Sequence, residues 1–328
     1  MRFYFLDASR GIAAFLVYIY HSNNLDNTCI NNFWVFVDFF FCLSGFVLAP
    51  RLKKSSKSLE GYIEFLLERF IRLAPIAITS LLLMFILNSH EDYSISDLVL
   101  ALALIQVLFK KANEINLPLW STSAELIVNA LTPSLIRFFR FPYLVNFCIV
   151  FFVLISFKSE SGNFGFNAIC RCSIGFMLGY FTNKLVMCNK FFAMVIAITS
   201  LGFFAVFLIS PIEQPKRLVL IDFIFCLFIY SLSSLENSLS VRNFGKVICN
   251  FLGMTSYAVY AFQIPFKVVF DASLFSRYDH SMDQWFLVLV ASSRYILLVT
   301  FSFYFTKYFD IPIRGYLRSK IGKWGKSV

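Results

Sequence analysis

The stretch LDASRGIAAFLVYIYHSNN, residues 6–24, decides how the rest of the chain is read. Its middle is apolar enough for a lipid-embedded helix, yet Asp7 and Arg10 stand at one end and His21 at the other. Ionisable groups inside a membrane helix are expensive, roughly 2.5–3.5 kcal/mol each at mid-helix. Their positions therefore carry information. Arg10 and His21 are eleven residues apart, which is about three turns plus 20° and roughly 16 Å along the axis. The spacing predicts that both lie on one face, with the cation towards one membrane surface and the imidazole towards the other.

The same pattern of long apolar runs recurs from end to end. The chain has 328 residues, of which 59% are hydrophobic, 15% charged and 43 phenylalanine. That composition excludes a soluble domain and predicts an all-α, polytopic membrane bundle. A transmembrane barrel is excluded because no run alternates with period two. About ten spans are expected: 5–22, 33–50, 71–88, 121–138, 143–157, 168–182, 191–209, 218–235, 248–270 and 284–306. A further apolar stretch, 95–109, is short.

Charge counting places that stretch. If 95–109 does not cross and the amino terminus is cytoplasmic, most of the 29 basic residues fall on inner segments. Only Lys110, Lys111, Lys158, Lys216, Arg217 and Arg277 then face outward. Both termini are expected in the cytoplasm by the positive-inside rule. The net charge of +10 is thereby assigned to membrane orientation and not to nucleic acid. No cleavable signal peptide, domain boundary or internal repeat is visible, so residues 1–328 are expected to form one integral membrane domain. The eight cysteines form no C-x-x-C pair, and most lie inside apolar runs. Neither a metal site nor a disulfide is expected.

The remaining candidates are polar residues within or beside spans. Asp38, in FWVFVDFFFCLSGF, is expected near the depth of His21, where a carboxylate could fix the imidazole tautomer. Arg69 and Arg72, at i and i+3 in FLLERFIRLAP, enter the third span from the cytoplasm and with Arg10 form a guanidinium cluster suited to phosphate. Glu125 follows LPLWSTSAE at the expected outer start of the fourth span. There Trp120 reads as an interfacial anchor, and Ser121 or Ser123 as the helix cap. In TSYAVYAFQIPF, Ser256, Tyr260 and Gln263 share a helical face, with Tyr257 beside them. Asp310 and Arg314 close the series in YFDIPIR. Sorted by depth, arginines gather inside and His21, Asp38 and Glu125 outside. That order suits an enzyme whose donor enters from the cytoplasm and whose acceptor waits outside. His280 and His90, in polar loops, are weaker candidates for the active imidazole.

This ordered set resembles the acyltransferase family 3 integral membrane proteins, which O-acetylate bacterial surface polysaccharides. The resemblance is carried by Arg10 with His21, by VDFFFCLSGF at 37–46, and by Arg69, Arg72 and Pro75. It continues through LWSTSAE at 119–125, then Ser256, Tyr257, Tyr260, Gln263 and Pro265, and ends at Asp310, Pro312 and Arg314. Gln263 departs from the family pattern, which often has His there. Asp310 shortens the usual Glu, and Thr122 stands where Leu is usual. The resemblance implies acetyl-CoA as acyl donor and a sugar hydroxyl of a polysaccharide or lipid-linked glycan as acceptor, with lipopolysaccharide O-antigen the leading example. The bilayer implied is the bacterial inner membrane. On this reading Arg69 and Arg72, helped by Arg10, hold the donor phosphates. His21 is the base, oriented by Asp38. Glu125, Trp120, Ser256, Tyr257, Tyr260 and Gln263 position the sugar or the oxyanion. The competing class is a flippase for a lipid-linked glycan, against which stands the lack of matched broken helices.

Overall fold

A computed structural model describes residues 3–22, 28–88, 91–138, 164–209, 214–238, 243–270 and 284–324. Among these residues all regular structure is helical. The long helices are α1 (Tyr4–Ser22), α3 (Phe36–Ser55), α4 (Leu59–Leu87), α7 (Trp120–Phe138), α8 (Gly165–Thr182), α9 (Lys190–Ile209), α10 (Gln214–Ser238), α11 (Asn243–Phe270) and α12 (Gln284–Phe305). Shorter pieces are α2 (Thr28–Asn31), α5 (Ile95–Leu102), α6 (Lys110–Glu114) and α13 (Ile311–Trp324). A π-helical turn at Thr306–Asp310 joins α12 to α13. Among the described residues, five helical stretches are long and apolar enough to cross a membrane: Cys29–Ser55, Leu59–Leu87, Lys190–Ile209, Asn243–Phe270 and Ser292–Lys320. The expected span 143–157 lies outside the described residues, as do His90 and His280.

Two segments between the expected spans are defined by the structure. The polar segment 51–69 is nearly all helix, because α3 runs to Ser55 and α4 begins at Leu59. Ser58 starts it, its hydroxyl accepting from the Gly61 backbone N–H at 3.1 Å. The stretch 95–109, which charge counting expected not to cross, holds the eight-residue α5 and a 3-10 turn at Gln106–Leu108, both too short to cross a bilayer. A capping box at Ser94 and Asp97 starts α5, and the hydrogen bonds from Ser94 hold the exposed Asp97 carboxyl below its ordinary range. After α5 the chain turns inward. Leu104, Gln106, Val107, Ala112, Ile115, Asn116 and Leu119 are all at most 1% exposed.

In lipid, helices are not driven together by hydrophobic burial, so close backbone packing and polar contacts must hold the bundle. Both devices are visible. The helices α3 and α8 meet at Gly45 and Gly179. A Cβ on Gly45 would lie 1.9 Å from the Phe176 carbonyl oxygen, and one on Gly179 would lie 1.9 Å from that of Cys42. The helices α1 and α11 meet at Gly11 and Gly253, where a Cβ would fall 2.6 Å from Leu252 and 2.7 Å from Asp7 respectively. Arg10 contacts Ser256 and His21 contacts Lys267, both at a sequence offset of 246, so α1 and α11 run parallel in fixed register.

The inward segment also completes α11. Pro265 has no N–H, which leaves the Ala261 carbonyl without its helical donor. Ser80 Oγ donates to that carbonyl at 2.7 Å and Asn116 Nδ2 at 3.2 Å. One buried proline is thus tied to α4 and to the segment between α6 and α7.

Substituting Gly45→Ala or Gly179→Ala is expected to destabilise the protein by about 1–3 kcal/mol or more, since backbone must move. Gly202→Ala on α9, with open space around it, should be neutral or stabilising by up to about 1 kcal/mol. Thermal unfolding of the three variants in detergent, followed by size-exclusion, separates the outcomes.

Candidate active site

Four guanidiniums and three carboxylates converge on one cavity of about 700 Å³, walled by Arg10, Arg69, Arg72, Arg314, Asp7, Glu125 and Asp310. Each element contributes through its own geometry. In α1, Arg10 lies two turns from the helix start, and its Nε donates to Ser256 Oγ at 3.2 Å. In α4, Arg69 and Arg72 lie one turn apart on the face towards α7. The π-helical turn after α12 brings Asp310 and Arg314 into the wall, paired with each other. Such turns recur at functional sites because they rotate side chains out of the ordinary helical register.

Glu125 corrects the sequence expectation. It does not sit at the outer level with His21. It accepts hydrogen bonds from Arg69 and from Ser44, inside the arginine cavity. The physical reason is the inward course of residues 103–119, which starts α7 within the bundle and not at a membrane surface. Trp120 is accordingly no interfacial anchor. It is 3% exposed and packs its ring 5.8 Å from that of Phe41. Ser121 and Ser123 lie inside the first turn of α7 and do not cap it. The Ser121 hydroxyl pairs with that of Tyr260 at 2.7 Å, and Ser123 Oγ accepts from the Val107 backbone N–H at 3.3 Å.

Asp38 is likewise placed elsewhere than expected. It is fully buried, and Arg171 grips both its oxygens, Nε to Oδ1 at 2.7 Å and Nη2 to Oδ2 at 2.6 Å. The guanidinium is sandwiched between Trp34 and Trp120, 4.7 and 5.1 Å from their ring centres. A carboxylate without solvent needs a full opposite charge, and a bidentate guanidinium supplies it where a neutral imidazole would not. Asp38 therefore braces α3 against α8 and does not orient His21. The buried Asp222 of α10 adjoins this knot, with Cys42 Sγ 3.6 Å from its Oδ1.

The remaining candidates fall into two groups. Ser256, Tyr257 and Tyr260 line the cavity. Tyr260 donates to the Pro118 carbonyl at 2.6 Å and Tyr257 to the Leu73 carbonyl at 3.2 Å. His21 and Gln263 lie beyond its wall. His21 stands in the last turn of α1, its ring edge-on to Tyr20, and its own carbonyl accepts from Lys267 Nζ at 2.8 Å. Gln263 is 1% exposed.

Charge compensation within the cavity is uneven. Glu125 takes up Arg69, and Asp310 takes up Arg314. Asp7 shares the wall one turn from Arg10. Yet neither Arg10 nor Arg72 forms an ion pair among the described residues. Four guanidiniums against three carboxylates leave the wall net positive, and in a confined, largely apolar space that favours an anion.

Sequence reasoning passed over Arg171, Asp222, Arg294 and Lys267. Arg294 on α12 is 3% exposed and donates to the Tyr18 hydroxyl at 2.9 Å. Each was findable by the rule that singled out Arg10, as a charge within or bordering an apolar run: NAICRCSIGF, VLIDFIF, ASSRYILLV and QIPFKVVF.

A helical membrane protein with a buried, arginine-rich cavity is the class that fold and site define. Residues 3–307 match the family model described as "Acyltransferase domain", and the chain belongs to that family, acyltransferase family 3. Among curated proteins, "Protein 2 in picA locus" of Rhizobium radiobacter is 41% identical over 86 residues, covering 25% of this chain and 44% of that protein. The chain thus spans less than half the length of that relative. No solved structure matches it.

Asp38→Ala would strand the Arg171 cation in the bundle and should destabilise the protein by about 3–5 kcal/mol. The double variant Asp38→Leu with Arg171→Met should recover most of that loss. Unfolding temperatures of both variants and the parent measure the coupling. Equal instability of the single and double variants would show that the loss comes from the missing pair and not from a stranded cation.

Proposed function

We propose that this acyltransferase carries an acetyl group from cytoplasmic acetyl-CoA to a hydroxyl of a bacterial surface polysaccharide, such as lipopolysaccharide O-antigen, across the inner membrane. In this reading the chain crosses about ten times, with both termini in the cytoplasm, and a polysaccharide or lipid-linked glycan is the acceptor. The single observation that carries it is the excess of guanidiniums over carboxylates in the cavity wall, with Arg10 and Arg72 forming no ion pair among the described residues. Their chemistry matches the phosphates of a CoA nucleotide. Arg69 and Arg314, each fixed by its own acid, shape the walls around that anion.

The parallel register of α1 and α11 supports a division of labour along the membrane normal. Arg10 and His21 contact α11 at the same offset, so they lie on one side of α1, roughly 16 Å apart. The pantetheine arm has a length of that order. With the nucleotide held at Arg10 and Arg72, the thioester reaches the level of His21. His21 takes the proton of the sugar hydroxyl as its oxygen attacks the thioester carbonyl. The new C–O bond forms, the C–S bond breaks, and the CoA thiolate collects a proton as it leaves. A base in this role contributes about 10²–10⁴-fold in rate.

His21→Ala is expected to lower acetylation by at least about 10²-fold, with insertion and unfolding temperature unchanged. Arg72→Ala should raise the KM for acetyl-CoA about tenfold to a hundredfold, the value of a charge-assisted hydrogen bond, while leaving the acceptor KM alone. The assay supplies labelled acetyl-CoA to inverted membrane vesicles and follows label on the glycan. Wild-type activity in His21→Ala would remove the imidazole from the mechanism. Glycan translocation without transfer of label would favour a flippase.

A further inference from the structure

Helix α11 turns one face inward, at Gly253, Ser256, Tyr260, Gln263 and Lys267, spaced alternately three and four residues apart. Four of the five have described neighbours on that face. Gly253 lies against Asp7, Ser256 accepts from Arg10, Tyr260 bonds to Ser121 and Pro118, and Lys267 donates to the His21 carbonyl. Gln263 differs. It is 1% exposed, and neither its amide nitrogen nor its amide oxygen has a hydrogen-bond partner among the described residues. A buried amide unpaired at both ends is unfavourable, and in a native fold it calls for a reason.

Its position supplies one. Tyr260 is the outermost α11 residue on the cavity wall. Gln263 stands one turn further out, roughly 4.5 Å beyond Tyr260 and roughly 6 Å short of the Lys267–His21 level. By the register of the two helices it faces Val17, which is apolar and fully buried, so α1 offers it nothing polar there. A donor held at Arg10 and Arg72 with its thioester at His21 must pass its arm across this point, displacing the Tyr260 ring as it goes. The group on that arm nearest the thioester is a secondary amide. Four bonds separate its nitrogen from the thioester carbonyl carbon, roughly 5 Å when extended. That length matches the rise from Gln263 to His21. A glutamine offers one acceptor and two donors in a plane, so it can bond either the N–H or the C=O of a trans secondary amide.

We propose that Gln263 binds the amide of the donor's arm closest to the thioester and so sets the acyl carbon at the level of His21. The inference rests on a CoA thioester being the donor. It makes Gln263 a residue of donor recognition and not of sugar recognition.

The test measures equilibrium binding to the full-length protein in lipid nanodiscs. The two probes are acetyl-CoA and an acetyl-CoA analogue in which that one amide is replaced by two methylenes. Wild type should bind the analogue about tenfold to a hundredfold more weakly. Gln263→Leu and Gln263→Met should bind both probes alike, with the affinity wild type shows for the analogue. Their unfolding temperatures should stay at or above wild type, because an unpaired polar group has been removed. Equal affinity of wild type for the two probes overturns the proposal and leaves the donor reading intact, even if neither variant folds. Discrimination retained in both variants overturns it too, by assigning the amide to another residue. Absence of binding of either probe to wild type overturns the donor reading along with it. In vesicles, a rise in acceptor KM with unchanged donor KM would assign Gln263 to the sugar instead.

Discussion

The parallel contact between α1 and α11 is the constraint on which the site depends. Two helices with polar residues on their facing sides can lie together in lipid only if they approach closely and their polar groups meet. Gly11 and Gly253 allow the approach. Ser256 and Lys267 then meet Arg10 and the end of α1 at one constant offset. Sliding one helix by a single residue would break both contacts and drive side chains into the glycines. The register is therefore strongly specified, and with it which α11 residues face Arg10 and the end of α1.

A second constraint ties that pair to the rest of the bundle. Pro265 frees a carbonyl that lipid cannot satisfy. Ser80 and Asn116 satisfy it, and Asn116 belongs to the segment that dips inward between α6 and α7. That dip carries the start of α7 into the interior, which is why Glu125 meets Arg69 and why the Ser121 hydroxyl meets that of Tyr260. The shape of the cavity thus follows from a missing N–H in one helix and a polar segment folded in to replace it.

Much of this was legible in the sequence, and the exceptions have a common cause. Apolar runs located the long helices, and the eleven-residue spacing placed Arg10 and His21 on one side of α1. Arg10, Arg69 and Arg72 gather at one cavity as their positions suggested, and Ser256, Tyr257 and Tyr260, expected at the sugar or oxyanion, line that same cavity. Glu125 and Trp120 were misplaced because depth was judged from chain position, as if α7 began at a membrane surface. Chain position puts Asp38 and His21 at one depth, which suggests a pairing that the fold does not make. The true partner of Asp38, Arg171, is 133 residues away on a helix that no local pattern links to it. Arg171, Arg294 and Lys267 belong to neither set of surface charges, so a count aimed at orientation leaves them unread. Intramembrane charges are better paired with one another first and sorted by side afterwards.

The pairing also explains why one cavity holds four arginines when two face the anion. An arginine on a flexible stem loses side-chain freedom on binding, which weakens its grip. Glu125 and Asp310 remove that freedom in advance for Arg69 and Arg314. They also cancel two of the four charges, so the cavity does not repel itself apart when empty. What is left is the Arg10–Arg72 pair, two like charges offset in part by Asp7 in the same wall, in a medium that screens poorly. An entering anion relieves that repulsion as well as gaining its own hydrogen bonds, whereas a neutral molecule of the same size gains neither. The fixed ion pairs set the shape of the site, and the unpaired arginines set the sign of what enters it.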